Sequence, residues 1–220
     1  MTTWGIWIQR NQVRNHQPCC TSDQIVPQAK VRLNEFLVVL PPVPAIEPKP
    51  QAVWKPPDGR LVKINFDGAI FKTENRSGIG VVIRDHTGVI LASLAQSFSP
   101  ALTPMEIEAV AAARALEFGL ETGSIEAILE GDSKLIMNSL KSGGDTIASV
   151  QPLVQDAIIF SNSYTKLLYS HCRRDDNKLA HSLARNSVNV SDYVAWMEEV
   201  PQSLFSIAQY DLTTLANQVQ

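Results

Sequence analysis

Apolar and polar positions alternate over Leu61 to Gly68, LVKINFDG, where Leu61, Ile64 and Phe66 are separated by Lys63 and Asn65. That pattern predicts a half-buried strand ending on an acid, Asp67, followed by Gly68. Asp-Gly is itself a hairpin-turn signal, so a turn and a carboxylate delivered to the rim of a sheet are both open at this point. The polar run Lys72 to Ser77 makes a turn, and Gly78 to Arg84, GIGVVIR, reads as a second strand rich in β-branched residues. After a turn over Asp85 to Gly88, a third strand runs from Val89 to about Phe98, so the three form an antiparallel meander. Thr103 and Pro104 supply an N-cap and a first-turn proline for a long Ala-, Glu- and Leu-rich helix, which Gly123 ends. Ile125 to Glu130 predicts a short strand, Gly131 to Ser133 open a helix through Leu140, and Gly143 and Gly144 break it. A helix over Val150 to Asn162, a strand over Tyr164 to His171 and a helix over Asp175 to Ser187 complete the order β-β-β-α-β-α-α-β-α. Such an order predicts an α/β domain with a mixed five-stranded sheet and helices on its faces.

The flanks are patterned more sparsely. Met1 to Gln17 has no acid before Asp23, as in organelle transit peptides, but weak helical periodicity and few serines argue against one. Ala29 to Leu40 has the spacing of a short amphipathic helix. Pro41, Pro42, Pro44, Pro48, Pro50, Pro56 and Pro57 then make a stiff linker. The organisation predicted is an N-terminal segment over 1–40, a linker over 41–58, the α/β domain over 59–190 and a tail over 191–220. In that tail Trp196, Met197, Val200 and Pro201 predict a short docking helix ahead of a polar, fraying end.

Composition narrows the classes. With 220 residues and 45% hydrophobic content the chain can build one packed core plus extra segments. A net charge of −3 gives no global attraction to nucleic acid or anionic membrane, so phosphate binding requires a local basic patch or metal ions. No apolar run approaches the roughly 20 residues that span a bilayer, and no membrane partner is expected. Cys19, Cys20 and Cys172 lack metal-ligand spacing and fit reduced thiols of an intracellular protein, in the nucleus or cytoplasm with an organelle still open.

The acids carry the candidate chemistry. Glu108 sits in an i, i+4, i+8 row with Ala112 and Leu116, on a face whose small alanine allows close approach to the sheet. Its neighbour Glu106 points elsewhere and suits a helix N-terminus. Asp132 stands where a strand passes into a helix; taken alone, an N-cap is its simpler reading. Asp67, Glu108 and Asp132 can nevertheless converge, and such a cluster repels itself unless cations fill it. Hard oxygen ligands suit Mg²⁺ or Mn²⁺, and two such ions perform phosphodiester cleavage.

The runs INFDGA, SGIGVVIRDHTG, EIEAVAAARAL, LEGDSKLIMNSL and HCRRDDNKLAHSLAR, in this order and spacing, resemble a type 1 ribonuclease H domain. The resemblance is greatest to the ribonuclease H-like domains of plant proteins related to non-LTR retroelement reverse transcriptases. It covers about residues 53 to 187 and extends toward Leu212, and WGIWIQRN looks like the end of the segment that precedes the domain in longer retroelement proteins. The resemblance implies a ribonuclease H-like fold, two Mg²⁺ or Mn²⁺ ions and cleavage of the RNA strand of an RNA–DNA hybrid by a monomer. It makes Asp67 the bridging ligand, with Glu108 and Asp132 completing one ion's site and Glu108 near the ribose 2′-hydroxyl. Asn177 matches the last motif's Asn, a candidate substrate contact, and His171 falls where members carry a mobile accessory His; a plain strand-end His is the alternative. The chain departs from the pattern at His181, where active members carry an Asp as fourth ligand. Imidazole is softer and neutral, better matched to Mn²⁺ than to Mg²⁺. A second departure is the lack of a basic extension after Asp132; Arg173, Arg174, Lys178 and Arg185 leave a modest basic edge. Two functions therefore stand: a hybrid-cleaving ribonuclease, and a catalytically weak or silent retroelement-derived domain that binds nucleic acid or protein.

Overall fold

A computed structural model describes residues 2–39 and 54–218. These residues belong to two units, Met1–Pro50 and Gln51–Gln220, and most of the predicted proline linker lies outside the described residues. In the first unit, helix α1 (Thr2–Arg14) and helix α2 (Ser22–Val39) bury Ile25 and Ala29, and the Arg32 guanidinium stacks on the Trp4 ring at 4.9 Å. Helix α2 starts earlier than the expected Ala29 and accommodates Pro27 within it. No helix among the described residues is long and apolar enough to cross a membrane.

The second unit is an α/β domain of ribonuclease H-like fold. Its elements are β1 (Val62–Phe71), β2 (Arg76–Arg84), β3 (Ile90–Phe98), α3 (Pro104–Glu121), β4 (Glu126–Gly131), α4 (Lys134–Lys141), α5 (Gln151–Ser161), β5 (Lys166–His171), α6 (Lys178–Asn186), β6 (Tyr193–Met197) and α7 (Phe205–Gln218). One six-stranded sheet has the order β5-β4-β1-β2-β3-β6; β1, β4 and β5 run parallel, and the remaining pairs are antiparallel.

Two expectations are corrected here. The sheet has a sixth strand, β6, where a docking helix was predicted, and α7 follows it. Over the five residues YVAWM, period-two and helical spacing cannot be told apart, and pairing with β3 decides the outcome. Asp67 does not end its strand: β1 continues to Phe71 and stays paired with β2 as far as Arg76, so Asp67-Gly68 forms no turn. The reversal comes later and includes Asn75 at φ +49°.

Each face of the sheet has its own core. Ile64 and Phe66 join Ile107, Ala111, Ala115 and Leu116 of α3 in one, while Val82 joins Leu179, Leu183, Val200, Leu204 and Ala208 in the other. Helix α3 begins as the sequence dictates: Thr103 Oγ1 accepts from the Glu106 amide, the Glu106 carboxylate accepts from the Thr103 amide, and Pro104 opens the first turn. Helix α6 lies directly on β2 because Gly80 has no side chain; a Cβ there would sit 2.2 Å from the Ala184 nitrogen and 2.3 Å from the Ala180 carbonyl oxygen.

Candidate metal centre

The parallel ladder between β1 and β4 stops at the pair Asn65–Glu130. Just beyond it lie Asp67, within β1, and Asp132 after β4, where the parallel pairing of the two strands has ended. Glu108 enters from α3. Its neighbour Ile107 packs on Gly68, where an added Cβ would meet Ile107 Cγ1 at 2.9 Å, so the absent side chain lets the helix come this close. Each of Asp67, Glu108 and Asp132 offers an oxygen, and these atoms all lie within 4.8 Å of one another.

Asp67 is buried, and Glu108 Oε2 is shielded from water without a hydrogen-bond partner. Burial, and then the Asp67 and Asp132 carboxylates, push Glu108 up to about 9. Burial and the Asp132 charge also raise Asp67, opposed by the His181 imidazole and more weakly by Arg174. Three crowded oxygen donors, one of them orphaned, fit a hard divalent cation.

The other sequence-derived residues divide sharply. His181, on α6, places Nδ1 2.5 Å from Asp67 Oδ2, and both ring nitrogens lie 3.4 Å from Arg174 Nη2. It reaches the cluster as a hydrogen-bond partner of Asp67. His171 is exposed, with Nε2 3.1 Å from the Asp132 carbonyl oxygen. Asn177, read as a candidate substrate contact, is buried; its Nδ2 donates to the Phe66 carbonyl and ties the start of α6 to β1 beside Asp67. Asp132 does not cap α4, whose N-cap is Ser133.

Sequence reasoning passed over Arg174, which it left in a solvated basic edge. It also missed a buried polar network further back on β1. Lys63 Nζ pairs with Glu130 at 3.1 Å, Asn65 Nδ2 donates to Glu130 at 3.0 Å, and Arg84 pairs with Asp211 of α7 at 2.8 Å. Asn65 Oδ1 accepts from Trp54 Nε1 at 2.8 Å and from Arg84 at 3.2 Å, and the Arg84 guanidinium stacks 3.7 Å over the Trp54 ring. Burial lowers Arg84 only to about 10, so it remains charged at neutral pH. The available signal was polar residues at alternate positions of a central strand, which the reading treated as solvent-facing.

Residues 65–187 match the family model described as reverse transcriptase-like. The chain belongs to this family. Among solved structures, the domain is similar to ribonuclease H1 of the halophilic archaeon Halobacterium salinarum, with 25% identity, a TM-score of 0.54 and coverage of 59% of this chain and 98% of that one. It also shares its fold with the N-terminal ribonuclease H domain of a Mycobacterium tuberculosis protein, at 22% identity and a TM-score of 0.53 over 60% of this chain and 95% of that chain. A ribonuclease H1 designated LC11, solved in complex with an RNA/DNA hybrid, gives 23% identity and a TM-score of 0.52 over 58% and 96% of the two chains. No curated protein sequence gives a significant match.

Proposed function

We propose that this member of the reverse transcriptase-like family is an RNA–DNA hybrid ribonuclease of the plant non-LTR retroelement kind, acting as an intracellular monomer. The observation that carries the proposal is the cluster of Asp67, Glu108 and Asp132 oxygens within 4.8 Å of one another, with Glu108 Oε2 buried and unpartnered. Mg²⁺ or Mn²⁺ in this cluster, two ions once the hybrid is bound, would supply a hydroxide nucleophile and neutralise the leaving oxygen. Asp67, Glu108 and Asp132 would hold the ions, and Glu108 would also lie near the ribose 2′-hydroxyl that separates RNA from DNA. His181, which bonds Asp67, would be the altered fourth ligand. Exposed His171 is placed to hold or release a proton at the rim.

A second reading has its own support. His181 already occupies Asp67 Oδ2, an oxygen that a bridging ligand has to offer, and a site held this way suits a silent domain that binds the hybrid without cutting it. Cleavage of an end-labelled hybrid in Mg²⁺ and then in Mn²⁺, with Asp67→Asn alongside, separates the two. Metal-dependent cutting that the variant loses supports the nuclease; retention of the hybrid without cutting in either metal supports the silent domain.

A further inference from the structure

The edge of the sheet formed by β6 is built to accept another strand. Asp192 and Glu198 are bonded across to Ser97 and Leu91 of the β3 side, through Ser97 N to Asp192 O at 2.7 Å and Glu198 N to Leu91 O at 2.9 Å. Antiparallel bonding alternates along a strand, so the register Ala95–Val194 and Ser93–Trp196 gives the inward bonds to Val194 and Trp196. The amides and carbonyls of Tyr193, Ala195 and Met197 therefore point outward, and no described residue bonds to them. Tyr193 and Met197 are 55% and 62% exposed. No lysine, proline or bulge blunts this edge, unlike edges protected against pairing. Beside its Met197 end lies an apolar groove of about 490 Å³ lined by Val89, Ile90, Trp196, Val200, Phe205 and Leu212.

Charge selects the occupant. The strand YVAWM is uncharged, with Asp192 before it and Glu198 and Glu199 after it. A second copy paired antiparallel about Ala195 would set Asp192 of each chain against Glu198 of the other, and like charges directly opposite are destabilising. A strand with basic ends and apolar alternate positions meets complementary charge at both ends and can lay an apolar side chain in the groove. We propose that β6 is a docking edge for an extended basic peptide of a partner protein, bound by strand addition.

The probe is the synthetic peptide Lys-Val-Thr-Val-Thr-Val-Lys, added to the full chain and read by amide exchange and by Trp196 fluorescence. Binding should slow exchange at Tyr193, Ala195 and Met197 and weaken with added salt. Ala195→Pro removes one outward donor while sparing the bonds to β3, and should weaken binding by about tenfold. Glu198→Lys with Glu199→Lys should weaken it as well, leaving circular dichroism unchanged. A peptide N-methylated on alternate amides is the control that touches nothing in the protein, and it should fail to bind. The proposal is overturned if millimolar peptide leaves those amides unprotected, if Ala195→Pro and the N-methylated peptide bind undiminished, or if the chain sediments as a dimer that Ala195→Pro dissolves.

Discussion

Lys63 and Asn65 share a face of β1 with Asp67, and all three are buried. Around the first two, charges balance: Lys63 meets Glu130, Arg84 meets Asp211, and Asn65 bonds Trp54, Glu130 and Arg84, while Arg84 Nε stays without a hydrogen-bond partner. Around Asp67 they do not, because two further carboxylates face it and, among the described residues, the His181 imidazole is its only hydrogen-bonded basic partner. A charge-balanced buried network resists loss of any charged member. An unbalanced one stores repulsion that a bound cation can relieve, which is why the second cluster, and not the first, is the candidate for chemistry.

The largest effect that tests this contrast is on rate. Asp67→Asn should lower hybrid cleavage by ~10³-fold or more by removing a carboxylate of the proposed metal site, whereas Asp211→Ala should leave the rate per folded molecule close to that of the parent. A single-turnover assay on labelled hybrid reads both. Next comes stability. Asp211→Ala strands the Arg84 charge, 2% exposed, and should cost about 3–5 kcal/mol in urea unfolding, while Asp67→Asn should cost nothing. If Asp211→Ala proves neutral, α7 is no part of the folded unit and the contrast fails.

Smaller effects sharpen the picture. His181→Asp replaces a hydrogen-bond partner of Asp67 with a fourth carboxylate and should tighten Mg²⁺ binding by about tenfold, measured by titration calorimetry, while lowering the melting temperature of the metal-free protein. A further effect concerns pH. Glu108 ionises near 4.5 in the unfolded chain and is raised to about 9 in the fold. The folded state therefore holds a proton that the unfolded state releases, and the stability this gives is full below about 4.5 and lost as pH rises through 9. Metal-free protein should accordingly melt lower at pH 8 than at pH 5, and Mg²⁺ or Mn²⁺ should raise the melting temperature by a few degrees, more at pH 8 than at pH 5. Equal shifts at both pH values would show that the cation binds elsewhere.

Residues whose local signals agreed with the fold were legible in advance. Thr103, Pro104 and Glu106 mark the start of α3, Gly123 follows its end, and the β-branched run of β2 forms the strand it predicts. The three acids were legible as a candidate set because each falls at a recognisable juncture of strand or helix. Asp67-Gly68 misled, since a pairing partner runs past it in β2 and overrides the local turn preference. Trp196 misled for a similar reason: its partners Val200 and Leu204 lie close by, but β3, to which it pairs, is remote in sequence.

The sequence by itself determined the order and type of the central elements, the face of α3 that meets the sheet and the three carboxylates that can share an ion, because periodicity, caps and turn residues act over a few neighbours. Only the tertiary structure decided that His181 turns to Asp67, that Glu130 neutralises Lys63 and Asp211 neutralises Arg84 in the interior, and that β6 closes one side of the sheet while leaving its outer edge open. Those outcomes depend on which distant groups meet in a low-dielectric interior and on which backbone groups remain unbonded, and neither is set by spacing along the chain.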